Sequence, residues 1–207
     1  MIRNEDIIIR DKIICIDLDN TIISTPESLV NLHNKINPNN KLTLPNNINW
    51  DFSPMINTKE ELSELFKLFD NEDFYGDTLV VYSGAIEVIN RLAEDNKVYI
   101  VSKHMESRKP LTTAWVNKVM PKVKVRFVNN FSDKGEMFKD IKVDIAIDDR
   151  IDCLSSFDGS IFKILFGGYQ WNKFDNYSKE EKEGIIARAF GWIDVKYILK
   201  LYEEVYE

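Results

Sequence analysis

Short runs of apolar residues recur along the chain, and a polar residue or a glycine stands at the end of each run. They cover residues 13–16, 98–102, 123–128, 143–147 and 161–166. Runs of this length, bounded by polar and turn-forming residues, are typical of buried β-strands. The pattern therefore predicts five strands.

Between these runs, apolar residues recur at the three- and four-residue spacing of an amphipathic helix. The predicted helices begin near residues 25, 58, 84, 107 and 178. The last of them starts at a capping box and is predicted to carry Ile185 and Ile186 and to continue to Leu201. Strands that alternate with helices indicate an α/β fold, a doubly wound Rossmann-like parallel sheet that binds its ligand at the carboxyl ends of the strands.

The connection between the first two strands is longer than the roughly 30 residues of a strand–helix–strand unit. Its surplus, residues 24–78, is predicted to form a small helical cap, and residues 1–23 and 79–207 to form the core domain. A loop within the cap is rich in Asn and Pro and carries Trp50 and Phe52. Both side chains are candidates for stacking on a flat base, and packing inside the cap is an equal alternative.

The chain has 207 residues, of which 44% are hydrophobic, and this suits one domain with a small insertion. Its net charge of -7 argues against nonspecific binding to duplex nucleic acid or to an anionic membrane. The apolar runs are too short to span a bilayer, and the first six residues lack a signal-peptide pattern. Cys15 and Cys153 stand in apolar contexts typical of buried free thiols. We therefore expect a cytoplasmic protein.

Six polar residues at or just after the predicted strand ends are expected to converge on one crevice. They are Asp17 and Asp19, Ser102, Lys134, Asp148 and Asp149. Because residues i and i+2 of a strand share a face, Asp17 and Asp19 can point into the same space. Carboxylates this close repel each other unless a cation, a proton or hydrogen bonds separate them. A divalent ion with oxygen ligands, Mg²⁺, is the simplest solution.

The same residues suit a phosphoryl group, because Lys134, Ser102 and loop amides can supply positive charge and hydrogen-bond donors. One carboxylate can act as the nucleophile while a second acts as an acid. Hydrolysis is then divided into an aspartyl-phosphate step and a water step. The residues alone do not decide which of Asp17 and Asp19 has which role.

Other residues near the crevice give weaker signals. Lys103, Arg108 and Arg150 can add positive potential at its mouth, whereas solvated charge is the default interpretation. Arg150 is expected to pair with a neighbouring carboxylate, and His104 is interpreted as a loop residue beside the cleft rather than a substrate contact. Packing is the interpretation for the aromatic residues Tyr169, Trp171 and Trp192.

Four short motifs stand in order at the strand ends, and they are Asp17-Leu18-Asp19-Asn20-Thr21, Ser102, Lys134 and Asp148-Asp149. Together they resemble the motifs of the haloacid dehalogenase-like (HAD) phosphohydrolase superfamily. Further segments are similar to the 5′(3′)-deoxyribonucleotidase family, the cytosolic type C nucleotidases, and they include Phe74-Tyr75-Gly76, Gly84-Ala85, Trp115-Val116 and Ser132-Asp133-Lys134. The chain departs from that family after Ser102, where Lys103-His104 replace a small residue and proline.

The resemblance implies a Mg²⁺-dependent phosphomonoesterase that dephosphorylates (deoxy)nucleoside monophosphates. It implies Asp17 as nucleophile and Asp19 as general acid and then base, a role that needs a raised pKa. The implied metal ligands are Asp17, the backbone carbonyl of Asp19 and Asp148, with Asp149 and Thr21 in support. Phosphate binding is implied for Ser102, Lys103 and Lys134.

Two alternatives stay open. One is a phosphatase of the same chemistry that acts on another small phosphate ester or on a polynucleotide end, although an acidic chain disfavours a polynucleotide. The other is a non-catalytic binding protein on this scaffold, which is disfavoured because every catalytic position holds a competent residue. The expected partner is a small-molecule phosphate ester, and a homodimer is also open.

Overall fold

The computed structural model describes residues 9–49, 52, 55–139, 141–179, 182 and 184–206. Within them, six parallel strands form one sheet in the order β3-β2-β1-β4-β5-β6. The strands are β1 (Ile13–Ile16), β2 (Lys97–Ser102), β3 (Lys124–Phe127), β4 (Ile145–Asp148), β5 (Phe162–Phe166) and β6 (Ile185–Ala189). The five predicted strands and the doubly wound α/β fold are confirmed.

The central strand β1 explains why the polar strand ends meet. Ile14 pairs with Val98 of β2 on one side and with Ile145 of β4 on the other. Because all strands run in the same direction, the residues that follow β1, β2 and β4 emerge at one edge of the sheet.

Seven helices cover the described part of the sheet and its connections. They are α1 (Thr25–Ile36), α2 (Lys59–Lys67), α3 (Ala85–Asp95), α4 (Arg108–Val119), α5 (Asp133–Glu136), α6 (Ile151–Ser155) and α7 (Trp192–Tyr206). The predicted capping box of α2 is present, because the Thr58 side chain accepts from the backbone of Glu61 and the Glu61 side chain accepts from the backbone of Thr58. None of these helices is both long enough and apolar enough to cross a membrane.

The sixth strand corrects the sequence prediction. Ile185 and Ile186 were expected in a helix but lie in β6, which pairs with β5. The physical reason is that adjacent β-branched residues fit a strand as well as a helix, and the neighbouring edge of β5 supplies the pairing. The C-terminal helix begins only at Trp192, after Gly191.

Buried residues on the two faces of the sheet form two apolar clusters. Ile14, Ile16 and Ile100 belong to the larger cluster, and Cys15 and Tyr99 belong to the smaller one. Successive strand residues therefore face opposite clusters, as expected for a sheet covered on both faces.

The inserted segment 24–78 contains α1, α2 and two short 3₁₀ helices, Leu68–Asp70 and Glu72–Tyr75. Its buried residues Leu29 and Phe74 belong to the same cluster as Ile14 of the sheet. A separate cap lobe stays a prediction. Trp50 lies outside the described residues.

Candidate active site

The predicted carboxylates and lysine meet at the carboxyl edge of the sheet. Asp17 follows β1, Asp148 ends β4, and Lys134 is carried by α5. The Nζ of Lys134 donates to Oδ1 of Asp17 at 2.5 Å and to Oδ2 of Asp148 at 2.7 Å. All three side chains are buried. Burial would lower the pKa of Lys134, but the two carboxylates hold it well above its ordinary value, so the group is an ammonium.

The donor set at this point fits a divalent cation. Oxygen atoms of Asp17, Asp148 and Asp149 lie within 4.8 Å of one another. Burial raises the pKa of Asp17 to about 7, against the opposing effect of Lys134. Burial is the largest cause that raises the pKa of Asp149 well above its ordinary value, and the nearby Asp17 carboxylate is the second. Three buried carboxyl groups beside one ammonium offer hard oxygen atoms, and a divalent cation such as Mg²⁺ would favour their ionised form.

Asp149 is held in place by residues from the loop after β5. The Trp171 indole donates from Nε1 to Oδ2 of Asp149 at 2.8 Å, and the Asn172 side chain donates to the Asp149 carbonyl at 3.0 Å. Tyr169 stacks on Trp171 with ring centroids 4.4 Å apart. Trp171 is buried, as the packing interpretation expected, and it also orients a candidate metal ligand, which sequence reasoning missed.

Asp19 is surrounded by four hydrogen-bond donors. Its Oδ1 accepts from Oγ1 of Thr25 at 2.7 Å and from Nη2 of Arg108 at 3.0 Å. Its Oδ2 accepts from Oγ of Ser102 at 3.1 Å and contacts Nε2 of His104 at 2.8 Å. The two carboxylate oxygens thus have about as many partners as they have lone-pair sites.

These neighbours set the charge state of Asp19. Burial would raise its pKa, but the Arg108 guanidinium and His104 hold that pKa well below its ordinary value. In this arrangement Asp19 is therefore a carboxylate. The raised pKa expected for a general acid is absent here.

His104 and Arg108 are more deeply placed than the sequence suggested. They are only 8% and 5% exposed, so the interpretation of Arg108 as a solvated charge is wrong. His104 lies in the loop after β2 and lines the cavity described below, as expected of a loop residue beside the cleft. Nδ1 of His104 contacts Oγ1 of Thr112 at 2.9 Å, and the Arg108 guanidinium lies 4.3 Å from the centroid of Phe69. One signal was available, because His104 lies in the loop between β2 and α4 and Arg108 is the first residue of α4, which begins beside the site.

Three further predicted residues, Arg150, Ser102 and Thr21, differ in their hydrogen bonding. Arg150 forms a bidentate pair with Asp152, at 3.0 and 2.6 Å, so its predicted pairing with a neighbouring carboxylate is confirmed. Ser102 is buried and donates to Asp19. The buried hydroxyl of Thr21 has no hydrogen-bond partner in the described part of the chain.

A cavity of about 370 Å³ opens above these groups. Asp17, Asp19 and Asp149 line its polar side. The remaining wall is largely aromatic and carries Phe52, Phe66 and Phe69 from the inserted segment and Phe131 from the core. Lys103, Met105 and Arg150 also line it, and Nζ of Lys103 lies 4.6 Å from the Phe131 centroid. Phe52 is buried, and its ring meets Phe66 edge-on at 5.7 Å.

Solved structures share this fold at low sequence identity. A HAD-superfamily hydrolase, subfamily IA, from Geobacter sulfurreducens has 11% identity and a TM-score of 0.56, over 91% of this chain and 96% of that one. A haloacid dehalogenase-like hydrolase from Streptococcus pneumoniae has 12% identity and a TM-score of 0.56, over 91% and 98%. A HAD-hydrolase from Bacillus subtilis bound to magnesium has 13% identity and a TM-score of 0.53, over 92% and 99%.

The search of curated proteins found no match to this chain, but a family model matches nearly all of it. A family model described as 5′ nucleotidase, deoxy (Pyrimidine), cytosolic type C protein matches residues 11–200. The chain therefore belongs to the cytosolic type C 5′ nucleotidase family of the HAD superfamily and is a hydrolase of phosphate monoesters.

Proposed function

We propose that this protein removes the phosphate from (deoxy)nucleoside monophosphates in a Mg²⁺-dependent reaction that passes through an aspartyl phosphate on Asp17. The observation that carries the proposal is the position of the Asp17–Lys134–Asp148 cluster beneath a cavity with an aromatic wall. The cluster suits a phosphoryl group, and the wall suits a flat base.

The metal would be held by Asp17, Asp148 and the backbone carbonyl of Asp19, with Asp149 in support. When bound, Mg²⁺ supplies positive charge that offsets the phosphoryl oxygens and orients them for attack. Lys134 adds a second positive charge from the floor, and Lys103 adds a third from the cavity wall. Ser102 can turn its hydroxyl from Asp19 to the phosphate without leaving the cavity.

In the first step, a carboxylate oxygen of Asp17 attacks phosphorus while the bond between phosphorus and the ester oxygen breaks. The bonding electron pair leaves with the ester oxygen, which takes a proton from Asp19. In the second step, Asp19 accepts a proton from water as that water attacks phosphorus, and the bond to Asp17 breaks. Inorganic phosphate is released, and the Asp17 carboxylate is regenerated.

Asp19 is a carboxylate in the present arrangement, so it must gain a proton before the ester bond breaks. A phosphate monoester brings up to two negative charges close to Asp19, and a nearby like charge raises the pKa of a carboxyl group. The incoming substrate therefore favours the protonated form of Asp19 that the first step requires.

We also propose that residues 24–78 act as a cap that selects the leaving group. Support comes from the cavity wall, because Phe52, Phe66 and Phe69 all belong to this segment while the phosphate-handling residues belong to the core. Phe66 stacks on Phe69 at 5.8 Å, and together with Phe52 they form a continuous aromatic surface. Trp50 is a further candidate from the same loop.

The test is a panel of phosphate monoesters that spans deoxyribonucleotides, ribonucleotides, hexose phosphates and glycerol phosphate, assayed with Mg²⁺. We expect the highest kcat/KM for a nucleoside monophosphate.

Asp17→Asn should abolish turnover with an unchanged circular dichroism spectrum, because an amide does not attack phosphorus. Asp175→Asn, at an exposed position, is the matched control and should retain wild-type turnover. A hexose phosphate that exceeds every nucleotide would refute the substrate assignment, and an active Asp17→Asn variant would refute the nucleophile.

A further inference from the structure

A series of hydrogen bonds joins the Asp19 carboxylate to the inserted segment 24–78. Nε2 of His104 lies 2.8 Å from Oδ2 of Asp19, and Nδ1 of the same ring lies 2.9 Å from Oγ1 of Thr112. The hydroxyl oxygen of Tyr75 lies 2.7 Å from that Oγ1. We call Tyr75, Thr112 and His104 the Tyr75 network. It connects three parts of the protein, because Tyr75 belongs to the inserted segment, Thr112 to α4 and His104 to the loop after β2.

The chemistry of the partners fixes the direction of these hydrogen bonds. An ionised carboxylate only accepts, so Nε2 of His104 carries the hydrogen that points to Asp19. The other nitrogen of a neutral imidazole is an acceptor, and it receives the hydrogen of the Thr112 hydroxyl. The Tyr75 hydroxyl in turn donates to Thr112. Each member thus sets the hydrogen of the next, and the ring presents an N–H rather than a lone pair to Asp19.

Packing holds each member of the network in place. Thr112 is fully buried, and the His104 ring lies 5.6 Å from the ring of Phe127 in β3. The Tyr75 ring stacks on Trp115 of α4 with the centroids 5.4 Å apart. Side chains that are packed and hydrogen-bonded in this way can hold a neighbouring group in one orientation.

The network acts on the oxygen of Asp19 that can reach the substrate. Oδ2 also accepts from the hydroxyl of Ser102 at 3.1 Å, and Ser102 lines the cavity. When Ser102 turns to the phosphate, a lone pair of Oδ2 becomes free on the side of the cavity. His104 keeps its hydrogen bond to the same oxygen and fixes its direction.

We infer that Tyr75, Thr112 and His104 are positioning residues that orient Oδ2 of Asp19 towards the ester oxygen of the substrate. This inference rests on the proposed function, in which Asp19 is the general acid and then the base. The proton passes from Oδ2 to the ester oxygen as the bond between phosphorus and that oxygen breaks. The network orients Asp19, and no proton moves along it.

The network is a feature of this chain rather than of the family pattern that it resembles. Lys103-His104 stand where that pattern has a small residue and proline. Proline has no side-chain donor and cannot hold a carboxylate as His104 does. The departure from the pattern therefore has a definite structural consequence at Asp19.

The two steps of the reaction separate a positioning role from a merely structural one. The first step needs a proton from Asp19 when the leaving group is a nucleoside hydroxyl, whereas an aryl phosphate with an acidic phenol as leaving group needs none. Because kcat/KM reports the first step, loss of the network should lower it about 10- to 100-fold for a nucleoside monophosphate and far less for the aryl ester. The second step still needs Asp19 as a base, so the aryl ester should release a burst of phenol, about one equivalent per active site.

Variants interrupt the network at different points. His104→Ala and Thr112→Val should both show the full difference between the two esters, and Tyr75→Phe a smaller loss of about 3- to 10-fold for the nucleotide. Thr112→Ser keeps the hydroxyl and should restore most of the loss. Thr113→Val is the matched control, because the Thr113 hydroxyl donates to the Lys109 carbonyl at 2.8 Å in the same helix, and it should keep wild-type values. Circular dichroism checks that each variant is folded.

Asp19→Asn is the reference that separates this inference from the proposed function, and it should show the difference between the esters most strongly. If Asp19→Asn lowers kcat/KM for both esters equally, Asp19 is not the acid, and the proposed mechanism and this inference are both refuted. If Asp19→Asn separates the esters but His104→Ala lowers both equally, only the inference is overturned. The same holds if Thr112→Ser is no better than Thr112→Val, or if Thr113→Val behaves like Thr112→Val.

Discussion

The ammonium group of Lys134 donates a hydrogen bond to the Asp17 carboxylate at 2.5 Å, and both side chains are buried. Two further carboxylates, of Asp148 and Asp149, lie in the same pocket. We therefore propose that the lysine stabilises the folded protein in addition to binding a substrate phosphate. Its two roles can be separated by experiment, because only the first is needed in the absence of substrate.

Lys134→Met is expected to destabilise the metal-free protein by about 3–5 kcal/mol, as when one partner of a buried ion pair is removed. Saturating Mg²⁺ should restore part of this loss, because a bound cation offsets the same carboxylates. Urea unfolding in EDTA and in Mg²⁺ measures both effects. Lys139→Met removes an exposed lysine of the same region and should change the free energy of unfolding by far less. Equal destabilisation by the two variants would contradict the role given to Lys134.

The raised pKa of Asp17 predicts how the stability of the metal-free protein depends on pH. The pKa is about 7 in the folded state against an ordinary 3.8, so between these values the folded state binds more protons than the unfolded state. The free energy of unfolding should therefore fall as pH rises from about 4 to 7. Asp19 has the opposite shift, and its contribution is lost only as pH falls below its ordinary value.

Urea unfolding at a series of pH values in EDTA checks this prediction. Asp17→Asn should remove part of the slope between pH 4 and 7, because the amide does not titrate. Saturating Mg²⁺ should reduce the slope in the wild type, since a cation favours the ionised carboxylates. If the free energy of unfolding of the wild type instead rises steadily from pH 4 to 7 in EDTA, the prediction is contradicted.

Much of the fold could be predicted because burial leaves a clear pattern in the sequence. The runs that form β1, β2, β4 and β5 are almost entirely buried, as a doubly covered sheet requires, whereas the edge strand β3 alternates apolar and charged residues. Strand β6 was missed because Ile185 and Ile186 follow a capping-box sequence at residues 178–181 and fit a helical spacing equally well. The deciding factor is the free edge of β5, and tertiary pairing of this kind leaves no local signal.

In the candidate site, too, some residues could be predicted from the sequence and others could not. Asp17, Asp148 and Lys134 could be predicted because each stands at or near the end of a strand in a parallel sheet, where topology alone brings side chains together. The contacts of His104 and Arg108 with Asp19 depend on how the chain turns from β2 into α4. The Arg108 guanidinium also lies over the ring of Phe69 in the inserted segment, and single-residue patterns do not encode such a long-range contact.

Arg108 gives a prediction for the pH profile of catalysis. Its guanidinium holds the pKa of Asp19 down, so Arg108→Gln should raise that pKa. A general acid works only while protonated, and the limb of the kcat profile at which activity falls with rising pH should therefore move to higher pH, because kcat reports the substrate complex. Lys109→Gln changes the neighbouring lysine, which pairs with Glu106 instead, and should leave the limb in place. If neither variant moves the limb, Asp19 is not the group that the profile reports.

The aromatic wall gives a prediction about substrate choice. Changing Trp50 and Phe52 together to Ala should raise KM for a nucleoside monophosphate far more than KM for glycerol phosphate. Stacking of a base on an aromatic side chain contributes about 1–3 kcal/mol, which corresponds to roughly a 5- to 150-fold change in affinity. Glycerol phosphate has no base to stack, yet it meets the same Asp17 and Lys134.

Phe131→Leu is the comparison variant for this prediction, because Phe131 lines the same cavity from the core side. Its ring is already contacted by cations, with Nζ of Lys103 at 4.6 Å and the Arg150 guanidinium at 4.2 Å from the centroid. Those cations leave less of the ring open to a base, so this change should affect both substrates by similar factors. If the change at Trp50 and Phe52 also affects both substrates equally, these two aromatics pack the inserted segment and do not read the base. Substrate selection would then have to be assigned to other residues of the cavity.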